Sequence, residues 1–182
     1  MPINSHINEL RQKIAIYGKE NQGELLYALA EGAQLLSGCE QLRIYLEDLT
    51  RGALTCVYAT GPRSGELREA GFAIGSTETV VSSVYMSQYP ADFKLAGAPK
   101  NAQDTNFANR FGFRSSYVMP LVSLGKSIGV LCIDQDHPGE VLPAKARSQL
   151  ADLAGFVADH LDQARIYHQQ VRLEHTDAVA QA

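Results

Sequence analysis

Apolar residues recur along this chain at two different periods, and the changes between them lay out the elements. Ile7, Leu10, Ile14 and Tyr17 are spaced by three and four, which predicts a helix stopping at Gly18. Its apolar stripe is narrow, closer to a coiled-coil seam than to a broad core face. A second helix is predicted from Asn21, with Glu24 as a capping-box-like partner. It carries Leu25, Leu26, Leu29, Ala33 and Leu36 on one side and ends at Gly38. The period then shortens. QLRIYLED (41–48) and ALTCVYAT (53–60) read as two strands joined by the polar turn 49–52, an antiparallel hairpin.

The stretch 61–71 is turn-rich and charged and reads as a loop with a weak edge strand. Phe72-Ala73-Ile74 is an apolar stub running into Gly75-Ser76-Thr77, where a short helix is expected to start. That helix would contain Val80, Val81, Val84 and Tyr85 and close at Tyr89-Pro90, since a residue before proline resists the helical conformation. Residues 91–111 form a long segment without clear periodicity that carries Phe93, Phe107 and Phe111. A loop of that length and apolar content is expected to pack down as a lid. Two further strands, 114–123 and 126–134, fold back on each other about Leu124-Gly125. Ser115, Ser116, Cys132 and Asp134 interrupt their apolar pattern, as expected where a sheet face lines a pocket.

Pro138, Gly139 and Pro143 lead into a last helix from about Ala144 to beyond Val171. Leu150, Ala154, Val157, Leu161, Ala164, His168, Val171, His175 and Ala178 recur along it at alternating spacings of four and three. The first half is broadly apolar and should pack on the sheet. The second half keeps only the seam, so it is expected to pair with a partner helix.

At 182 residues the chain fits one domain, and 45% apolar composition is that of an ordinary globular protein. Twenty acidic against sixteen basic residues give a net charge of −4, which offers no field to hold a polyanion, so no direct nucleic-acid partner is expected. No apolar run is long enough to span a bilayer, and MPINSHINEL lacks a signal-peptide layout. Cys39, Cys56 and Cys132 are odd in number and unpaired in spacing, which fits reduced thiols in a cytoplasmic protein.

The element order resembles that of the GAF domain family across about residues 24–167. The resemblance is carried by RIYLED (43–48) with a second strand ending at Gly61, and by FAIGST (72–77). It is carried further by RSSYVMPLVSLGKSIGVLCID (114–134), with Pro120-Leu121 and Ile128-Gly129-Val130-Leu131, and by LADLAGFVADHLDQARIY (150–167). It implies an α+β fold with a five- to six-stranded antiparallel GAF/PAS-like sheet. N- and C-terminal helices would pack on one face, and a loop or short helix would cover a ligand pocket on the other. It also implies a regulatory, non-enzymatic small-molecule sensor, with residues 1–20 as a dimerisation helix, 21–167 as the sensor and 168–182 as a helical linker to an output domain. The implied partners are a second copy, joined through the N- and C-terminal helices, and that output domain, a diguanylate cyclase or a histidine kinase. Leu173-Glu-His-Thr-Asp-Ala178 is similar to the junction that opens many diguanylate cyclase domains, although Val-Ala-Gln follows here.

Ligands across the family include cyclic nucleotides, haem, bilins and small metabolites, and the cofactor of this chain stays unidentified. None of the cysteines lies in the loop-and-helix region after Ala91 where a tetrapyrrole thioether would be expected, which argues against a bilin. The candidate lining is Tyr58, Ser76, Thr77, Tyr85, Phe93, Phe107, Phe111, Ser116 and Cys132. Gly75-Ser76-Thr77 serves either as an ordinary N-cap or as a contact for an anionic ligand. No nucleophile elbow, phosphate loop or H-E-x-x-H is present. The run 134–140 around His137 is too short, and interrupted by Pro138, for a calcium loop, and it reads as a solvated turn. His168 and His175 are either loosening seam residues or a pH-sensitive stack. The alternatives to a sensor are a ligand-free dimerisation module and a thiol-dependent reductase of a small metabolite acting through Cys132.

Overall fold

A computed structural model describes residues 3–17, 21–97 and 101–181. Helices α1 (Ile3–Tyr17) and α2 (Gln22–Ser37) lead into strands β1 (Gln41–Asp48) and β2 (Ala53–Ala59). Then come α3 (Ser64–Glu69), β3 (Gly71–Ala73), α4 (Val80–Ser87), β4 (Ala91–Lys94) and α5 (Ala102–Phe111). The hairpin β5 (Ser115–Ser123) and β6 (Lys126–Gln135) precedes α6 (Ala144–Ala180). The strands make one six-stranded antiparallel sheet in the order β3-β2-β1-β6-β5-β4, with β1 and β6 at its centre.

Period-two alternation divides the sheet residues between two layers. Leu42, Ile44 and Leu46 of β1, Leu131 and Ile133 of β6, and Tyr117, Met119 and Leu121 of β5 pack under α1, α2 and α6. The residues between them, among them Tyr45, Val118, Val130 and Cys132, face α4 on the other side. The β5–β6 turn forms where expected, with Leu124 and Gly125 at φ of 50° and 76°, the left-handed pair of a type I′ turn. Gly129 has a different role. A Cβ there would collide with the Tyr45 carbonyl oxygen, so only glycine lets β6 lie this close to β1.

Four stretches of the chain differ from the sequence expectation. The stretch 61–71 holds a short helix, α3, around the buried Leu67, and the stub at Phe72 is the edge strand β3. The segment 91–111 is not an open loop. It adds β4 to the sheet edge and then forms α5, capped by Asn101. Helix α4 begins at Val80 under a Thr79 cap, several residues after Gly75-Ser76-Thr77. Finally, the α1 seam is spent within the subunit: Ile7, Leu10 and Ile14 are buried, the last two in the same core as α2 and α6. The stop expected at Gly18 and the side chain of Tyr17 lie outside the described residues.

Helix α6 is divided along its length. Residues from Ala146 to Ala164 supply a buried face, whereas from Ile166 onward the helix is exposed throughout.

Candidate functional site

The centre of the α4 side of the sheet is ionic. Arg43 of β1 is 2% exposed and Asp134 of β6 fully enclosed. Two parallel bonds join them, Nε to Oδ2 at 2.7 Å and Nη2 to Oδ1 at 2.8 Å, the bidentate geometry in which a guanidinium holds a carboxylate best. Gln41 Nε2 and Ser116 Oγ donate the remaining bonds to Asp134, at 2.8 and 2.7 Å. Register sets this cluster. Ser116 lies directly across the ladder from Asp134, as does Gln41 on the other side, and Arg43 faces Cys132 one pair further on. Burial opposes the Arg43 charge, but Asp134 more than offsets it and holds the guanidinium well above its ordinary range.

Aromatic rings close over the pair. The Arg43 guanidinium lies 4.8 Å from the Phe107 centroid and 5.1 Å from that of Phe113, and its Nη1 donates to Tyr45 Oη at 3.1 Å. Phe107 in turn meets Phe72, Phe111 and Phe113 at centroid distances of 5.4, 4.6 and 6.1 Å. Beneath these rings is a cavity of about 10 Å³, lined by Arg43, Phe72, Val80, Asp104, Phe107 and Ser116 among others. That is room for about one water. The pocket expected on this face is present in outline, but α5 and its phenylalanines fill it.

Helix α5 is tied to α4 as well as to the ion pair. Asp104 Oδ2 accepts from the Val80 N–H at 2.9 Å, capping α4 from a neighbouring element. Burial pushes the Asp104 carboxyl up from its usual range, against that bond and the nearby Arg43 charge. At its other end, α4 presents Tyr85, whose hydroxyl donates to Glu47 Oε2 at 2.5 Å.

Of the expected lining residues, Phe93, Phe107 and Ser116 border the cavity. Phe111 stacks on Phe107 just behind it, and Tyr85 and Cys132 are buried on the same side of the sheet without reaching it. Tyr58 points the other way and packs against the helix-side core. The cause is a bulge opposite Ile44 and Tyr45, which shifts the parity of β2, so that Cys56 and Tyr58 face opposite layers. Ser76 and Thr77 lie in the turn before α4, away from the cavity. Among the described residues, Ser76 Oγ accepts only from Glu78 N.

Arg43, Phe72, Val80, Val81, Asp104 and Phe113 also line the cavity and are the residues that sequence reasoning missed as lining. A charged residue alternating with Tyr45 and Glu47 in a strand so apolar at Leu42, Ile44 and Leu46 was the available signal for Arg43. Asp104 had none, because α5 is not visible in the apolar periodicity, and Phe113 falls in the short connection between α5 and β5.

The three cysteines are free and buried, and burial raises each thiol, that of Cys132 to about 12. Among the described residues, no group of His, Cys, Asp and Glu side chains is arranged to hold a metal ion. No described helix is long and apolar enough to cross a membrane.

No curated protein sequence matches this chain. Solved structures of the same fold are numerous. A methyl-accepting chemotaxis protein fragment, residues 122 to 287, superposes with a TM-score of 0.68 at 17% identity, covering 87% of this chain and 98% of that one. The phycoerythrobilin-bound GAF domain of a cyanobacterial phytochrome gives 0.72 at 13%, with 92% and 98% covered. Free methionine-R-sulfoxide reductase from Neisseria meningitidis, in complex with its substrate, gives 0.65 at 19%, with 91% of each covered. At these identities the superpositions establish the fold alone. The sequence itself matches the GAF domain family over residues 22–164, a span that runs from the start of α2 to the last buried residue of α6, and the chain therefore belongs to that family.

Proposed function

We propose that this GAF domain is a regulatory module that acts as a homodimer and passes the state of its α4–α5 face to an output domain, a diguanylate cyclase or histidine kinase, through α6. The observation that carries this reading is the exposed second half of α6. Residues 165–180 continue the helix for about 24 Å. Among the described residues nothing packs on them from Ile166 onward, and Val171, Leu173 and Val179 are all exposed. An isolated helix of that length is marginal in water. His168, Val171, His175 and Ala178 continue the spacing of the buried Leu161 and Ala164 into the exposed half, and they form the seam that a second copy would cover. Helix α1 contributes less to such a dimer than expected, since among its described large apolar side chains only Ile3 and Ile16 remain exposed.

The signal in this reading is a small molecule that displaces the phenylalanines of α5 from above Arg43. A closed resting pocket suits a switch, because binding then has to move something. Sedimentation tests the dimer: the full chain sediments as a dimer and a chain ending at Tyr167 as a monomer. A full chain that is monomeric at micromolar concentration overturns it. Native mass spectrometry of the purified protein, followed by calorimetry with any compound that co-purifies, tests the ligand.

A second reading, a dimerisation module that takes no ligand, is favoured by the cavity of only about 10 Å³. An NMR screen in which no compound shifts the signals of residues 80–85 and 104–113 decides for it. The reductase reading is the least supported by the site. Its nucleophile would be a fully buried thiol held near 12, where almost no thiolate exists at neutral pH.

A further inference from the structure

Glu47 sits where the two moving parts of that reading come closest. It is a charged residue of β1 whose side chain is 1% exposed, and three separate elements bind it. Tyr85 of α4 donates to Oε2 at 2.5 Å, while Arg165 of α6 and Lys126 of β6 approach Oε1 at 3.3 and 3.4 Å. The position of Arg165 is telling. Ala164 is the last buried residue of α6, and among the described residues Arg165 makes the final polar contact between the domain and its exposed helix.

We infer that Glu47 is a mechanical joint, a single carboxylate through which a displacement of α4 changes the anchoring of α6 at the point where α6 leaves the domain. This rests on the regulatory reading above and names its route. At one end of α4, Asp104 of α5 caps the Val80 N–H beneath the aromatic rings, and Asn101 Nδ2 donates to the Glu78 carbonyl. At the other end, Ser127 Oγ donates to the Tyr85 carbonyl at 2.7 Å and Gln88 Nε2 to the Gly125 carbonyl, so α4 is also pinned to the β5–β6 hairpin. A ligand that lifts α5 removes the first cap. The helix can then move only by loading its remaining attachments, of which the Tyr85–Glu47 bond is the one shared with α6. Buried, with its oxygens divided between a hydroxyl and two cations, Glu47 cannot follow Tyr85 without weakening its hold on Arg165. Burial disfavours the Glu47 charge, but the Tyr85 bond and the two cations outweigh it and keep the carboxyl below its usual range, so it is ionised when the contacts form.

The test needs no ligand, which separates its failure from failure of the pocket reading. Native-state hydrogen–deuterium exchange is measured on the full chain carrying Arg165→Met, Tyr85→Phe or Glu47→Gln. The expected result is reciprocal. Arg165→Met speeds exchange of the α4 amides 84–88, and Tyr85→Phe that of the α6 amides 161–168, each by about threefold or more, as for residues that share one network. Once Glu47→Gln is present, Arg165→Met adds nothing at α4. Substitutions that change only their own helix overturn the joint. Should one variant loosen the whole domain, urea unfolding of the Tyr85→Phe, Arg165→Met pair decides: the combined loss of stability differs from the sum of the single losses if Glu47 couples them, and equals it if not.

Discussion

Removing the Asp134 carboxylate leaves Arg43 charged and almost wholly withdrawn from solvent. With Arg43 2% exposed and Asp134 fully enclosed, the guanidinium of Asp134→Ala keeps its desolvation penalty and loses both bonds of the bidentate pair, while Gln41 and Ser116 each lose an acceptor. Breaking a buried pair in this way costs about 3–5 kcal/mol. That is a large share of the roughly 5–15 kcal/mol that holds a domain folded. For a urea m-value of about 2 kcal/mol per molar, the unfolding midpoint falls by about 1.5–2.5 M.

The comparison that exposes the cause is the double variant Arg43→Met, Asp134→Leu, which removes both charges and fills the space with apolar atoms. It loses less stability than Asp134→Ala alone, because no uncompensated charge remains and buried pairs replaced by packed apolar groups are often neutral. Equilibrium urea unfolding, followed by far-UV circular dichroism, measures all three proteins. A loss below about 1 kcal/mol for Asp134→Ala, or a greater loss for the double variant than for the single one, refutes the argument that burial of the charge sets the cost.

Three further outcomes follow from local geometry. Gly129→Ala places a methyl against the Tyr45 carbonyl at the centre of the sheet and costs at least about 1–3 kcal/mol, read from the shift of the urea midpoint. Leu124 is 94% exposed and holds a left-handed conformation at φ 50°, so Leu124→Asn, which gives the Asn-Gly sequence of a type I′ turn, stabilises by about 1 kcal/mol in the same assay. Asp104 has a folded pKa raised above its unfolded value of about 3.9, so the folded state binds the extra proton and this residue lowers stability as pH rises from there through the raised value. Asp104→Asn keeps an acceptor for the Val80 N–H and removes that part of the decline, seen as a flatter series of urea midpoints between pH 4 and 7 than in the unaltered protein.

The parts of the fold that were legible in the sequence are those where local chemistry and tertiary packing agree. The Asn21 cap and Gly38 stop of α2, the β1 and β6 strands and the Leu124-Gly125 turn stand where the residues predict them, because burial of one face rewards the same period that the local pattern displays. Legibility fails where tertiary contacts supply the order. Helix α5 has few apolar residues of its own and is held by Phe107, which rests on Phe72 of β3 and on Phe113 just before β5 with Phe111 behind it, so its sequence reads as a loop. The α4 start moved for a similar reason: Thr79 has both its own cap bond to Ser82 and Asp104 supplied from α5, whereas Gly75-Ser76-Thr77 has no such partner. Tyr58 fell on the wrong layer because a single bulge residue inverts strand parity, and composition carries no mark of that insertion.

The same division bears on what the site can do. The elements that sequence pattern placed correctly, α2, β1, β5 and β6 among them, belong to the frame, and two of those that it misread, α4 and α5, cover Arg43 and Asp134. Elements whose order depends on contacts from elsewhere are those that a change in contacts can move, and they draw on the low end of local stability. The buried ion pair stays with the frame, since its atoms come from β1, β5 and β6 and its geometry does not require α5. In the proposed reading, a ligand that replaces the Phe107 ring over the Arg43 guanidinium displaces α5 while leaving the sheet intact. In that reading the displacement reaches α6 along α4 through Tyr85 and Glu47 to Arg165, where the helix is no longer held by the core, while Ser127 and Gln88 tie α4 to the β5–β6 hairpin.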